Sequence, residues 1–272
     1  MFLTILFILL SLISVGTLFI CCEWYTQWYM YFVGAILLPV SYILCVLICI
    51  IIVAIISLFL SKEKDVTKPN KAANFMVKEV CHQINLFSRV KIKINGSEKL
   101  PKEKCLFVSN HLSMYDPIVV VDKLKKQPIM CITKIENEKI PVAGPFIHTA
   151  GYVPLDRSSA KSAIAVIRKG ANYIANDLAN VYIFPEGTRS KTNELLPFHA
   201  GSFKIATKAN CPIVVMNLNG TNLVHKNFPL KRTKVTVDIL DVLYPEYYNT
   251  LNTNDLAEKT RQMIDEFQKN MK

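Results

Sequence analysis

The first sixty residues contain no lysine and no arginine, and only one acid, Glu23. That absence excludes an ordinary solvated surface for this stretch. The uncharged start, Met1 to Thr4, and the apolar chain that continues past Ser14 to Thr17 also argue against a cleaved secretory leader. Other signatures are missing downstream. The eight cysteines, Cys21, Cys22, Cys45, Cys49, Cys81, Cys105, Cys131 and Cys211, form no C-x-x-C pair, so they read as thiols in a reducing compartment. His82, His111, His148, His199 and His225 are dispersed, with no H-E-x-x-H, so no metal is expected. The lack of a G-x-S-x-G elbow speaks against a serine acyl-enzyme, and no P-loop or dinucleotide fingerprint is present. Zinc-finger spacing, an RNP-like aromatic signature and a heptad-plus-basic region are absent too, which argues against a nucleic-acid partner.

What the chain does have begins with hydrophobicity. Met1 to Cys22 and Tyr31 to Leu60 are each long enough to cross a hydrocarbon core of roughly 30 Å. Between them lies Glu23-Trp24-Tyr25-Thr26-Gln27-Trp28-Tyr29-Met30, which holds both tryptophans, as residues at headgroup level do. Past Leu60 the pattern inverts. The remaining residues carry all 32 basic and 20 of the 21 acidic side chains, a net charge of about +12. Lys62, Lys64, Lys68, Lys71 and Lys78 follow directly on the second apolar run, so the positive-inside rule puts the large domain on the cytoplasmic side of the cell membrane. Pro39 leaves open whether the pair spans the bilayer or dips into one leaflet. The basic domain is expected to attract anionic lipid headgroups or anionic substrates.

These divisions give a membrane-embedded two-helix segment over 1–60, a polar juxtamembrane linker over 61–70 and a catalytic domain over 71–272. Within the domain, Phe75, Val77, Val80, Ile84 and Phe87 trace a helical stripe, and Val90, Ile92 and Ile94 alternate with lysines as a strand. Strands are then expected at 105–109, 129–132, 151–154, 181–184, 213–217 and 235–240, with helices at 158–176, 201–208 and 254–271. This alternation predicts an α/β layered domain with a largely parallel sheet flanked by helices, preceded by an N-terminal two-helix membrane hairpin. In such sheets the chemistry sits just beyond the carboxyl ends of strands.

Three such positions carry reactive residues. After 105–109 comes Asn110-His111-Leu112-Ser113-Met114-Tyr115-Asp116-Pro117. A neutral imidazole is a good base near pH 7, and a carboxylate on its other nitrogen fixes the tautomer. Five residues apart, His111 and Asp116 would diverge by about 140° on a helix, so a strand-to-helix corner suits them, with Pro117 at the first helical position. After 181–184 comes Phe184-Pro185-Glu186-Gly187-Thr188-Arg189-Ser190, where Gly187 permits close backbone approach and Arg189 offers a planar fork for phosphate oxygens. After 151–154, Arg157 could supply a second phosphate contact.

Together, Asn110 to Asp116, Gly151 to Arg157 and Phe184 to Ser190 resemble the first three motif blocks of the glycerolipid acyltransferases, whose best-known members are the 1-acylglycerol-3-phosphate acyltransferases. The likeness covers roughly residues 75 to 245. It implies transfer of a fatty acyl group from a thioester to the free hydroxyl of lysophosphatidic acid, giving phosphatidic acid. By the same resemblance His111 is the general base and Asp116 its orienting acid. Arg157, Glu186, Gly187, Thr188 and Arg189 bind the glycerophosphate, and Lys134 stabilises the oxyanion, with Lys139 five residues further on. No cofactor is implied beyond the thioester co-substrate, carried by coenzyme A or acyl carrier protein, and the implied partners are that donor and membrane lipids. Glycerol-3-phosphate or another lysolipid is the alternative acceptor, and a non-catalytic lipid-binding protein a more distant reading. The family's fourth block sets two prolines around an apolar run. Here Cys211-Pro212-Ile213-Val214-Val215-Met216 keeps the first alone, which leaves donor choice open, as it does chain length and oligomeric state.

Overall fold

A computed structural model describes residues 1–60, 66–124, 128–190, 192 and 194–271. The chain resolves into two compact units, Met1–Ser61 and Lys62–Lys272.

The first unit is a pair of helices, α1 (Phe2–Cys21) and α2 (Met30–Phe59). At about 1.5 Å per residue these are roughly 30 and 45 Å long, enough to cross a membrane. Only 6% of the most apolar stretch of α2 is buried within the protein, which separates it from the core helix of a water-soluble fold. The two helices pack on each other through Phe7 against Tyr42 and Phe19 against Tyr31 and Trp24, and the Ser14 and Ser41 hydroxyls meet at 2.9 Å. Gly34 makes the Phe19 contact possible, since a Cβ there would stand 2.5 Å from the ring.

The second unit is a seven-stranded sheet: β1 (Val90–Asn95), β2 (Leu106–Ser109), β3 (Ile129–Lys134), β4 (Val153–Leu155), β5 (Asn180–Ile183), β6 (Ile213–Asn219) and β7 (Thr233–Leu243). Its order is β1-β7-β6-β2-β5-β3-β4, parallel at every pairing except β6 with β7. The central strands read as continuous apolar runs because helices cover both faces. All four residues of β2 and of β5 are buried. The edge strand β1 instead alternates half-buried valine and isoleucine with exposed lysine, as a strand with one wet face does.

Around the sheet lie α3 (Lys71–Phe87), α4 (Tyr115–Lys123), α5 (Ala143–Thr149), α6 (Ala160–Ala175), α7 (Lys204–Ala209), α8 (Val224–Asn227), α9 (Pro245–Tyr248) and α10 (Thr253–Asn270). Side chains cap the three long ones. Asn70 accepts from the Ala73 amide, Ser159 from that of Ser162, and Asn252 from those of Asn254 and Asp255. The helix expected over 201–208 is a 3-10 turn, Ala200–Phe203, running into α7. Helix α4 follows the strand-to-helix corner expected at Pro117, whereas α5 is too short to show a periodic stripe.

Of the linker expected over 61–70, residues 61–65 lie outside the described residues. The rest is fastened to the domain: the Tyr173 hydroxyl donates to the Val66 carbonyl, and the Asn70 amide donates to that of Thr149. Helices α3 and α4 are pinned through Asp122, whose carboxylate bonds His82 at 3.0 Å and Asn85 at 3.2 Å. Burial by itself would push Asp122 up. The neighbouring Lys123 and His82 charges, with the bonds from His82 and Asn85, outweigh it and hold the carboxyl below its usual range.

Candidate active site

Strands β2, β3, β4, β5 and β6 all point the same way, so the segments leaving their carboxyl ends gather at one end of the sheet. Leaving β2, Asn110 is buried, and its amide exchanges two bonds with Leu218 of β6, at 2.9 and 2.7 Å. This clamp holds the start of the next loop against the neighbouring strand.

His111 follows, and it is fixed on four sides. Its Nδ1 lies 2.8 Å from Asp116 Oδ2, and its amide donates to Glu186 Oε1 at 2.6 Å. Its carbonyl accepts from the Ser190 amide at 2.9 Å, and its ring stacks on Phe184 with centroids 3.9 Å apart and planes 16° from parallel. Asp116 is fully buried, and the same Oδ2 also accepts from the Leu112 and Ser113 amides, at 2.7 and 2.8 Å. The turn is thus wound around one carboxylate oxygen. With an Nδ1–H donating to Asp116, the lone pair of Nε2 is left to receive a proton. The strand-to-helix corner is present, though Pro117 is the third residue of α4 rather than the first, because the Ser113 turn starts the helix two residues earlier.

The loop after β5 supplies the opposite wall. Glu186 is buried, and its second oxygen accepts from the Leu196 amide at 3.2 Å, so both oxygens are engaged by main-chain N–H groups. Burial pushes this carboxyl up to about 7. The two amide bonds pull the other way, and the Asp116 charge adds to the rise. Gly187 has φ +66°, a left-handed conformation that favours glycine. Thr188 and Arg189 are exposed and hold no side-chain hydrogen bond among the described residues.

A cavity of about 570 Å³ lies beside this wall. It is bordered by Phe184 and Gly187, by Arg157 leaving β4, and by apolar residues of α6 such as Ala163, Val166 and Ile167. It thus joins an apolar interior to a rim where Arg157 stands beside Asp156. Lys134, at the end of β3, is exposed and ion-paired to Glu136 at 3.1 Å. No contact links it to His111 among the described residues. Arg157 is felt by the same Glu136, whose carboxyl is lowered first by its own backbone amide and the bond from Lys134.

Sequence reasoning passed over two residues here. Asn110 was read as part of a motif rather than as the clamp to β6. His199 was counted among dispersed histidines, yet it borders the same cavity as Arg157 and Gly187. Only the fold, which returns the chain to Pro185 through the His199 amide at 2.8 Å, makes that placement visible. Of the thiols, Cys81 and Cys211 are pushed up by burial to about 12, and Cys105 and Cys131 are raised as well, so all four are inert packing groups.

Every residue of this site falls within 91–219, the segment that matches the family model described as Acyltransferase. Among characterised relatives, the chain is 32% identical over 189 residues to the 1-acyl-sn-glycerol-3-phosphate acyltransferase of Saccharomyces cerevisiae, an alignment covering 68% of this chain and 62% of that one. The enzyme of the same name from Cocos nucifera is 32% identical over 168 residues, covering 62% of this chain and 52% of its own. The chain therefore spans less than two thirds of these relatives. Its fold is similar to the crystal structure of the 1-acyl-sn-glycerophosphate acyltransferase PlsC from Thermotoga maritima, with a TM-score of 0.57, 22% identity, and coverage of 72% of this chain and 79% of that one.

Proposed function

We propose that this protein is a 1-acylglycerol-3-phosphate O-acyltransferase, moving a fatty acyl group from an acyl thioester to the free hydroxyl of lysophosphatidic acid. The observation that carries the reading is the His111 imidazole, held by Asp116 at 2.8 Å and stacked on Phe184 beside a cavity with an arginine on its rim. In this mechanism Nε2 of His111 takes the proton of the acceptor hydroxyl as its oxygen attacks the thioester carbonyl. The C–S bond then breaks, and the imidazolium returns its proton to the departing thiolate. The buried Asp116 carboxylate favours the transient cation.

Arg157 and Arg189 have their guanidinium forks free of side-chain hydrogen bonds among the described residues and would receive the acceptor phosphate, with Gly187 and Thr188 forming the loop beneath. Glu186 acts by holding the His111 amide rather than by touching the phosphate. If Lys134 stabilises the oxyanion, its ammonium must leave Glu136 to do so. The two apolar helices would keep the domain at a bilayer, on the cytoplasmic face of the cell membrane by the charge argument, where the acceptor and product reside.

The test is acyl transfer by the purified full-length protein in detergent. One acyl-coenzyme A is offered with lysophosphatidic acid, glycerol-3-phosphate or a neutral monoacylglycerol in turn. Lysophosphatidic acid should give the highest kcat/KM. A preference for the neutral acceptor would remove the phosphate roles of Arg157 and Arg189.

A further inference from the structure

We infer that His199 is a specificity-determining residue for the phosphate-bearing acceptor, donating from its imidazole to the anionic headgroup together with Arg157. This inference rests on the function proposed above and adds to it a residue outside the motif blocks that first drew attention.

Three observations converge on His199. Its ring lies directly over Gly187: a Cβ built on that glycine would stand 3.0 Å from His199 Cδ2 and 3.1 Å from Nε2. The glycine therefore does more than permit an unusual backbone angle, because it clears the space into which this imidazole folds. Next, His199 and Arg157 line the same cavity, although one comes from the segment after β5 and the other from the end of β4. Finally, the ring makes no hydrogen bond or ion pair among the described residues. The half-buried His82 and His148 are committed to carboxylates, Asp122 and Glu138, whereas the His199 side chain is exposed at the mouth of the cavity.

The backbone beneath His199 is not loose. Its amide donates to the Pro185 carbonyl at 2.8 Å, and its carbonyl accepts from the Ser202 amide at 3.0 Å. Three residues earlier, the Leu196 amide is held by Glu186. A rigid main chain thus presents an uncommitted, exposed donor ring and an arginine fork at the rim of a largely apolar cavity, which Asp156 also borders. A polar ring left idle there finds its partner in a ligand that pairs an apolar chain with a charged oxygen cluster. One hydrogen bond from such a ring to a phosphate oxygen is worth about tenfold in affinity.

The experiment uses the full chain in detergent and compares wild type, His199→Ala and His199→Gln. It reads KM and kcat for lysophosphatidic acid, KM for acyl-coenzyme A, and equilibrium binding of a fluorescent lysophosphatidic acid without donor. His199→Ala should raise the acceptor KM about tenfold with a much smaller change in kcat, leave the donor KM unchanged, and weaken binding by the same factor. His199→Gln, which restores an N–H donor, should recover most of the loss. An unchanged acceptor KM and binding in His199→Ala would overturn the inference. So would an equal rise in donor KM, or a glutamine variant as poor as alanine, which would reduce His199 to a packing ring over Gly187. Failure of the wild type to transfer acyl groups, with His199-dependent lysophosphatidic acid binding intact, would overturn the enzymatic reading and leave this one standing.

Discussion

Glu186 and His111 are joined through the backbone of the histidine, the carboxylate accepting its amide at 2.6 Å, while the imidazole is held by Asp116 on the other side. Two acids therefore serve one histidine in different ways: one fixes where the residue sits, the other fixes how its ring is turned. The two can be separated by substitution.

Asp116→Asn tests the second role. All three bonds to Asp116 end on Oδ2, whereas Oδ1 is buried without a partner. An asparagine can place its oxygen at the Oδ2 position and keep every bond, losing the charge and setting its NH2 group where the unpartnered Oδ1 lies. The variant should fold, with a melting temperature within a few degrees of wild type, while kcat falls about a hundredfold or more. His111→Ala should lower kcat by about a thousandfold and preserve lysophosphatidic acid binding. Unchanged transfer in either would remove the base assignment.

Glu186→Gln tests the first role. A carboxyl raised from 4.5 to about 7 keeps a proton in the folded chain that the unfolded chain has released. The folded state binds more protons across this window, so its stability declines as pH rises from about 4.5 to 7. Glutamine removes that titration, and thermal melting between pH 5 and 7.5 should show a flatter dependence than wild type. It also offers one acceptor to two amides, so the variant should lose about 1–3 kcal/mol at pH 5, where wild-type Glu186 is protonated. Parallel curves for the two proteins would count against the raised carboxyl.

Gly187→Ala should destabilise by about 1 kcal/mol through its positive φ alone. The added methyl also presses on His199, so KM for lysophosphatidic acid should rise while KM for the donor holds. Steady-state kinetics on the two substrates checks this directly.

Asp122→Ala removes the clamp between α3 and α4 and leaves His82 and Asn85 without their acceptor. A loss of about 1–3 kcal/mol in urea unfolding is expected at neutral pH. Because this carboxyl is held below its unfolded value of 3.8, its contribution is present above that pH and is lost as the pH falls through the lower folded value. The difference between the two proteins should narrow on acidification, and a constant difference down to pH 3 would contradict the depressed carboxyl.

The sheet was readable because β2, β5 and β6 are unbroken apolar runs, and the reactive corners because each follows such a run directly. What escaped notice was short or relational. Helix α5 spans seven residues, too few for a stripe. Glu186 takes its expected place at the glycerophosphate from the resemblance of its motif block. Only the fold buries it and turns both oxygens to main-chain amides. His199 lay twelve positions past Gly187 with no periodic relation to it, so its placement depends on the chain doubling back to Pro185. Lys134 could be located at the end of β3 from sequence, but its pairing with Glu136 could not.

The co-directional run of β2 through β6 also bears on how the molecule can be handled. The turn Asn176–Ala179 enters β5 from the end remote from His111, and Asp177 at its tip is exposed. A peptide tag or small fluorescent domain spliced at Asp177 would therefore sit at the opposite end of the sheet from His111. The protein could be followed or captured there with the His111 end of the sheet left unobstructed.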